Sequence, residues 1–170
     1  MDSLIEIRDM CKVYNPGENE VWALDRVNLS IREGEFVAII GQSGSGKSTL
    51  LYSVSGMDRA TAGTVVLGDM EITNLSEKDL AEARLKYMGF IFQQMHMLKN
   101  LLVMDNIILP AYEATKDKDE RNKIDDNCNN LMHRLEISEI ADNDITEVSG
   151  GQLQRACICR SLINNPRIIF

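Results

Sequence analysis

The sequence predicts an α/β protein in which a glycine-rich loop joins a buried strand to a helix. Residues 36–40 form a continuous apolar run, which is typical of a strand buried on both faces. Residues 41–49 follow directly and are rich in glycine and serine, and residues 50–55 continue as a short helix with Gly56 as its C-cap. After Gln93 the pattern changes from strands to helices. Together these observations favour an α/β fold.

The first third of the chain predicts strands, because apolar and polar residues alternate there. A turn-rich segment, residues 15–19, separates the first two strands. The alternating apolar positions are Ile5 and Ile7 before this turn and Val27, Leu29 and Ile31 after it. Residues 64–67 predict a further strand that turns back at residues 68–69.

The second half predicts mainly helices. Ser76 and Asp79 form a capping pattern before a helix over residues 80–86. Residues 89–92 predict a second buried strand, and residues 168–170 begin another. A helix is expected from Leu153 to about Ile163. One face of an amphipathic helix is formed by Ile124, Cys128, Leu131 and Leu135.

Composition excludes several classes of protein. The 170 residues contain 18 Lys plus Arg and 26 Asp plus Glu, which gives a formal net charge of −8. This acidic balance disfavours a nucleic-acid partner bound through a basic field. No apolar run approaches the roughly 18–20 residues that span a bilayer, so we expect no direct membrane insertion. The four cysteines lack zinc or disulfide spacing and are expected to be reduced thiols.

A phosphate-binding loop is the strongest chemical signal. Its pattern is Gly-x-x-x-x-Gly-Lys-Ser, placed between a predicted strand and a predicted helix. Glycines let backbone N–H groups converge on phosphate oxygens, and the helix N-terminus adds partial positive charge. The lysine neutralises the β- and γ-phosphates, and the serine hydroxyl can join a Mg²⁺ shell. The candidate cofactor-binding residues are Gly41, Gln42, Ser43, Gly44, Ser45, Gly46, Lys47, Ser48 and Thr49. The alternative reading is a glycine- and serine-rich turn.

A second glycine-containing motif precedes the last helix. It consists of Ser149, Gly150, Gly151 and Gln152. By itself it fits an anion site or an ordinary helix cap, and the pattern leaves both open. Together with the phosphate loop it resembles the ATP-binding cassette (ABC) ATPases, with Val148 where Leu is usual. The loop, residues 89–93 and residues 149–155 are most similar to the macrolide-exporter and lipoprotein-releasing ATPases, and the resemblance runs from about residue 4 to residue 170.

The resemblance implies a particular architecture. It predicts a P-loop NTPase (RecA-like) core with an N-terminal antiparallel β subdomain and an inserted α-helical subdomain. The expected boundaries are residues 1–92 for the ATP-binding core with the β subdomain and residues 93–160 for the helical signature subdomain. Residues 161–170 would begin the Walker B strand, so that the C-terminal part of the core is expected to be missing.

The resemblance also implies roles for individual residues. Tyr14 stands where the family has the aromatic ring that stacks on adenine; the alternative is an edge-strand aromatic. Gln93 matches the glutamine that reaches Mg²⁺ and the attacking water, so Ser48 and Gln93 are the expected metal contacts; the alternative for Gln93 is a strand-end polar residue. The motif at residues 149–152 would contact ATP held by a partner chain.

The implied partners are a second copy of the chain and a transmembrane permease. ATP would join two copies head to tail, and the permease would hold the ATPase at the cytoplasmic face of the plasma membrane. The segment containing Met95, Met97 and Met104 matches the family region that faces the permease. Ordinary core methionines are the alternative.

The implied activity is ATP hydrolysis that drives export or lipoprotein release. The family's catalytic Glu and its His have no counterpart within these 170 residues, so we expect the chain itself to bind ATP and Mg²⁺ but to hydrolyse ATP poorly. Two other readings stay open: a non-catalytic nucleotide-binding fragment, and a soluble ABC ATPase not tied to transport. The transported substrate is not indicated by the sequence.

Overall fold

Four strands of the first half pair as the alternation of apolar residues predicts. Strands β1 (Ser3–Tyr14) and β2 (Val21–Arg32) form an antiparallel hairpin. Strand β3 (Ala62–Leu67) pairs antiparallel with β1 on its other edge and turns back into β4 (Met70–Glu71). The resulting sheet has the order β2-β1-β3-β4 and is antiparallel throughout.

The computed structural model describes residues 3–17, 19–115 and 117–170, and for residues 118 and 119 it describes the backbone alone. The chain separates into two compact units, Met1–Ala81 and Glu82–Phe170. The antiparallel sheet belongs to the first unit. The boundaries expected from the sequence at residues 92 and 160 stay a prediction.

Two helices follow the predicted capping signals. Helix α1 (Lys47–Val54) begins inside the glycine-rich loop and ends at Ser55 as its C-cap, beside the predicted Gly56. Helix α2 (Glu77–Tyr87) begins earlier than predicted. Its start is held by Ser76, whose hydroxyl accepts a hydrogen bond from the Asp79 N–H at 3.2 Å and donates to the Asp79 carboxylate at 2.7 Å. The bond from the Asp79 N–H satisfies one helix-end donor, as an N-cap serine does.

The prediction of a buried strand at residues 36–40 is wrong. These residues have no regular structure, Phe36 is 99% exposed and Ile40 is 90% exposed. A strand needs a neighbour for its backbone hydrogen bonds. Among the described residues, no strand pairs with this segment. The apolar run therefore lacks the pairing that would make it a strand.

Three helices build the core of the second unit. They are α3 (Val103–Ala114), which the sequence analysis did not predict, α4 (Lys118–Arg134) and α5 (Gly150–Leu162), with a short 3₁₀ turn at Ser138–Ile140. The amphipathic pattern of α4 is confirmed, because Cys128 is fully buried while Ile124 and Leu131 pack at the edge of the core. The fully buried core side chains are Val103, Ile107, Cys128, Met132, Ile137, Ala156 and Cys159.

The second unit also contains a pair of short parallel strands. Strands β5 (Met88–Gly89) and β6 (Ile168–Ile169) pair in parallel. The strand predicted over residues 89–92 is therefore shorter than expected, although the Ile91 N–H still donates to the Phe170 carbonyl at 2.9 Å. Its neighbour β6 is itself only two residues long, and this limits how far the regular pairing extends.

The cysteines behave as expected for reduced thiols. All four are buried and free. Burial raises the pKa of Cys128 to about 12 and that of Cys159 to about 11, so these thiols stay protonated at neutral pH. Among the described residues, no His, Cys, Asp or Glu cluster could hold a metal ion, and no helix is long and apolar enough to cross a membrane.

Candidate nucleotide-binding site

The turn that precedes α1 depends on two glycines with left-handed backbone. Gly44 has a φ angle of 80° and Gly46, the N-cap of α1, has a φ angle of 84°. A Cβ atom at Gly46 would lie 2.6 Å from the backbone oxygen of Ala23, whereas one at Gly44 would meet nothing within 4 Å. Gly46 is therefore required both by its backbone conformation and by the close approach of β2. The loop packs closely against β2 at Gly46, and this contact fixes the position at which α1 begins.

The side chain of Lys47 lies inside the loop that precedes it. Its ammonium donates to the backbone oxygens of Gly41 at 3.0 Å and Gln42 at 2.6 Å, and lies 3.5 Å from the Ser45 hydroxyl. The loop thus wraps around a positive charge. The ammonium carries a full positive charge, which attracts an anion, although in this structure its donors are directed at oxygens of the loop itself.

The first turn of α1 adds backbone donors to this charge. The first hydrogen bond of the helix joins the Leu50 N–H to the Gly46 carbonyl at 2.8 Å, so the N–H groups before it have no partner within the helix. Ser48 is exposed on the same turn. Free N–H groups, the positive end of the helix dipole and the ammonium together fit a phosphate group. That residues 41–49 bind phosphate stays a prediction, with which this geometry is compatible.

Tyr14 lies at the end of β1 in the same unit. Its hydroxyl donates to Asp58 Oδ2 at 2.7 Å. The hydrogen bond to Asp58, followed by burial, raises the pKa of Tyr14, so the phenol stays a donor at neutral pH. The structure thus places the predicted base-stacking residue beside the helix that starts in the phosphate loop. It also shows two contacts that sequence reasoning missed, with Asp58 and with Lys12. Asp58 is 44 positions away in the sequence, so no local spacing indicates it. Lys12 is on the same strand as Tyr14, and their i, i+2 spacing is a signal that could have found this contact.

Ser149 caps α5 through a complete capping box. Its hydroxyl oxygen accepts from the Gln152 N–H at 3.3 Å, and Gln152 Oε1 accepts from the Ser149 N–H at 2.9 Å. The Gln152 amide also donates to Glu139 at 3.1 Å. The helix-cap alternative is therefore correct for Ser149, and it does not exclude a binding role, since a capped N-terminus still presents N–H groups.

The two glycines of this motif are not required by crowding within the chain. A Cβ atom at Gly150 would meet nothing within 4 Å, and one at Gly151 would meet only the Arg155 guanidinium at 3.9 Å. Neither has a positive φ angle. Glycine at both positions therefore leaves an open backbone surface at the start of α5, which a group from outside could approach closely.

Gln93 and the methionine segment also belong to the second unit. Gln93 is exposed in a bend just beyond Phe92. Met97 and Met104 pack against the helical core, which agrees with the core-methionine alternative for these two residues. The segment between them is held by Asn106, 1% exposed, whose amide oxygen accepts from the Leu98 N–H at 2.7 Å. Sequence reasoning missed Asn106, because nothing in its neighbourhood marks it as a buried amide.

Known proteins agree with this reading of the fold. A family model described as ABC transporter matches residues 24–170. The lipoprotein-releasing system ATP-binding protein LolD of Wigglesworthia glossinidia brevipalpis is 39% identical over 98% of this chain and 72% of LolD. The macrolide export ATP-binding/permease protein MacB of Campylobacter jejuni is 42% identical over 98% of this chain, which spans 25% of MacB.

A solved structure gives the same picture. The ATP-binding cassette MJ0796, in a dimeric post-hydrolysis state bound to ADP and Pi, superposes with a TM-score of 0.84 and 36% identity. The superposition covers 97% of this chain and 72% of the MJ0796 chain. Fold and site thus define an α/β nucleotide-binding protein with a phosphate loop, a P-loop NTPase as predicted. The chain belongs to the ABC transporter family, as an ATP-binding subunit of the ATPase class.

Proposed function

We propose that this chain binds ATP with Mg²⁺ and, together with a second copy and a transmembrane permease, drives export or lipoprotein release. The observation that carries the proposal is the loop of residues 41–46 wrapped around the Lys47 ammonium at the start of α1. The likeness to LolD and MacB, whose names refer to lipoprotein release and macrolide export, supports the choice of transport over other ABC activities.

The proposed site divides into a phosphate part and a base part. The phosphates would lie against the loop residues 41–49, with Lys47 neutralising their charge. Tyr14 would stack on the adenine through its ring face. Ser48 and Gln93 would contact Mg²⁺, which neutralises charge on the β- and γ-phosphates when bound. Gln93 would also help to orient the attacking water.

The proposed assembly is a head-to-tail pair of chains. The phosphate loop of one copy would face residues 149–152 of the other, so that each ATP is shared by two chains. The open backbone at Gly150 and Gly151 supports this arrangement. The resulting complex would act at the cytoplasmic face of the membrane by docking on the permease, without inserting a helix of its own.

Calorimetric titration with Mg-ATP tests the phosphate site. We expect Lys47→Ala to weaken ATP binding by about tenfold or more, because it removes a charged donor. Lys78→Ala is the matched control: it removes the same charge from an exposed position on α2 and should leave the dissociation constant unchanged. Equal binding by the wild-type chain and Lys47→Ala would contradict the proposed site.

Co-purification separates the transport reading from the other two. A transporter subunit should be retained by an integral membrane protein when both are extracted from the native membrane in detergent. Retention by soluble factors alone would favour an ABC ATPase not tied to transport. Tight ATP binding by the native protein with no turnover in either setting would favour the non-catalytic reading.

A further inference from the structure

An ion pair between a buried lysine and a half-buried aspartate lies against the residue proposed to hold the base. Lys12 on β1 is only 9% exposed, and its ammonium forms an ion pair with the Asp58 carboxylate and donates to the Arg59 carbonyl at 2.7 Å. The other oxygen of the same carboxylate accepts the Tyr14 hydroxyl at 2.7 Å. A buried ammonium is costly unless it is paired, so this arrangement resists being broken. The Asp58 carboxylate therefore bonds to both Lys12 and Tyr14.

The same lysine also contacts the aromatic ring. Its ammonium lies over the Tyr14 ring, 4.9 Å from the ring centroid. This is within the range of a cation–π contact. The ring is thus held at its hydroxyl by Asp58 and on one face by Lys12, while 38% of the Tyr14 surface stays exposed. A ring fixed in this way presents a set orientation to a ligand.

Asp58 is in turn connected to the helix of the phosphate loop. Its N–H donates to the Tyr52 carbonyl of α1 at 3.1 Å. Asp58 also accepts the Tyr14 hydroxyl, so it links Tyr14 to α1. Since α1 begins at Lys47, Tyr14 is attached to the element that carries the phosphate site. The separation between ring and loop is therefore set by one rigid helix.

The protonation states agree with these contacts. Burial pushes the pKa of Asp58 upward, but hydrogen bonds from Lys12 and Tyr14 and the Lys12 charge outweigh it and hold that pKa below its ordinary value. The carboxylate is therefore ionised at neutral pH and accepts from both partners.

We propose that Asp58 and Lys12 are positioning residues for nucleotide recognition, which fix the Tyr14 ring so that its exposed surface receives the purine base at a set distance from the phosphate loop. This inference rests on the proposed function, because it takes Tyr14 as the base-stacking residue. It assigns a task to two residues that otherwise would only join β1 to the segment after α1. Substituting Asp58 or Lys12 should therefore weaken the binding of the base and leave the binding of the phosphates unchanged.

Comparing a ligand with a base and one without tests the inference. The full chain and its variants are titrated with Mg-ATP and with Mg-tripolyphosphate, which lacks both base and sugar. We expect Asp58→Ala to weaken ATP binding by about threefold or more and to leave tripolyphosphate binding unchanged, since base stacking on an aromatic ring contributes roughly 5- to 100-fold. Asp69→Ala, an exposed carboxylate in the same unit, is the matched control and should change neither.

Conservative variants keep the test decisive if Asp58→Ala does not fold. Asp58→Asn keeps an acceptor for the Tyr14 hydroxyl and should restore part of the ATP affinity. In a Tyr14→Phe background, which removes the hydroxyl but keeps the ring, Asp58→Asn should have a smaller effect on ATP binding than in the wild type. Equal effects in the two backgrounds would overturn the coupling between Asp58 and Tyr14.

The failure of the inference and that of the proposed function give different results. If Asp58→Ala weakens ATP and tripolyphosphate equally, or weakens neither, the positioning role is overturned. If Tyr14→Ala leaves the ratio of the two affinities unchanged, the base does not stack on Tyr14, and both the assignment and the inference that depends on it fail. If only Tyr14→Ala lowers the ratio, Tyr14 binds the base and the positioning role alone is wrong.

Discussion

At the scale of single residues, two glycines with similar backbone angles have different reasons to be glycine. Gly44 and Gly46 both have φ near 80°, which costs any other residue free energy. Only Gly46 also faces a backbone oxygen, that of Ala23, at a distance a side chain cannot share. The phosphate-loop pattern specifies Gly46 but leaves position 44 open. The structure shows a conformational requirement at both positions and a steric one at Gly46 alone.

This difference predicts unequal effects of the same substitution. We expect Gly46→Ala to lower the free energy of unfolding by about 2 kcal/mol more than Gly44→Ala, because it adds a clash with β2 to the shared backbone penalty. Urea unfolding followed by circular dichroism measures both. Similar losses for the two variants would mean that the loop moves away from Ala23 at little cost.

At the scale of elements, the sequence predicts the helices that begin with a capping serine, but it wrongly predicts a strand at residues 36–40. Ser76 and Ser149 cap their helices through bonds made within four residues, so the signal is local and can be read from the sequence. The N-cap of α3, Leu102, makes no side-chain cap bond, and the helix contains Pro110. It was missed because its start has none of the usual capping chemistry. Residues 36–40 lack a paired neighbour, which no property of the segment itself could reveal.

The cap of α5 predicts a loss of stability that is separate from binding. Ser149→Ala should lower the free energy of unfolding by about 1 kcal/mol, because the Gln152 N–H loses its acceptor. Ser149→Asp keeps an acceptor at the same position and should stay close to the wild type. Chemical denaturation compares the three chains. A loss for Ser149→Asp as large as that for Ser149→Ala would show that the cap bond is not the cause.

At the scale of the whole molecule, the two units carry different parts of the proposed function. The first unit, Met1–Ala81, contains the phosphate loop and Tyr14, and the second, Glu82–Phe170, contains Gln93 and the motif at residues 149–152. In the proposed dimer a complete site takes the loop from one chain and the motif from another. The net charge of −8 would oppose pairing of two copies, so a bound ligand that contacts both would have to offset this repulsion.

The dimer is tested through a glycine that the single chain does not need. Gly150→Ala should leave the stability and the ATP affinity of the isolated chain unchanged, because the added methyl group meets nothing within 4 Å. It should abolish Mg-ATP-dependent dimerisation, since the methyl group would occupy the surface that ATP of the partner approaches. Sedimentation analysis with and without Mg-ATP measures this. A Gly150→Ala dimer as tight as the wild type would contradict the proposed interface.

The sequence by itself determined the features that depend on local chemistry: the phosphate loop at residues 41–49, the antiparallel hairpins, the helix caps and the family. The loop, the turns and the caps each rest on residues a few positions apart, whose backbone preferences and hydrogen bonds act locally. The family rests on several such motifs taken together. Only the tertiary structure decided that residues 36–40 are exposed, that Asn106 is a buried amide, and that Lys12 and Asp58 surround Tyr14. These depend on contacts between residues distant in the chain, because burial and ion pairing are set by the folded neighbours and not by the spacing of the residues.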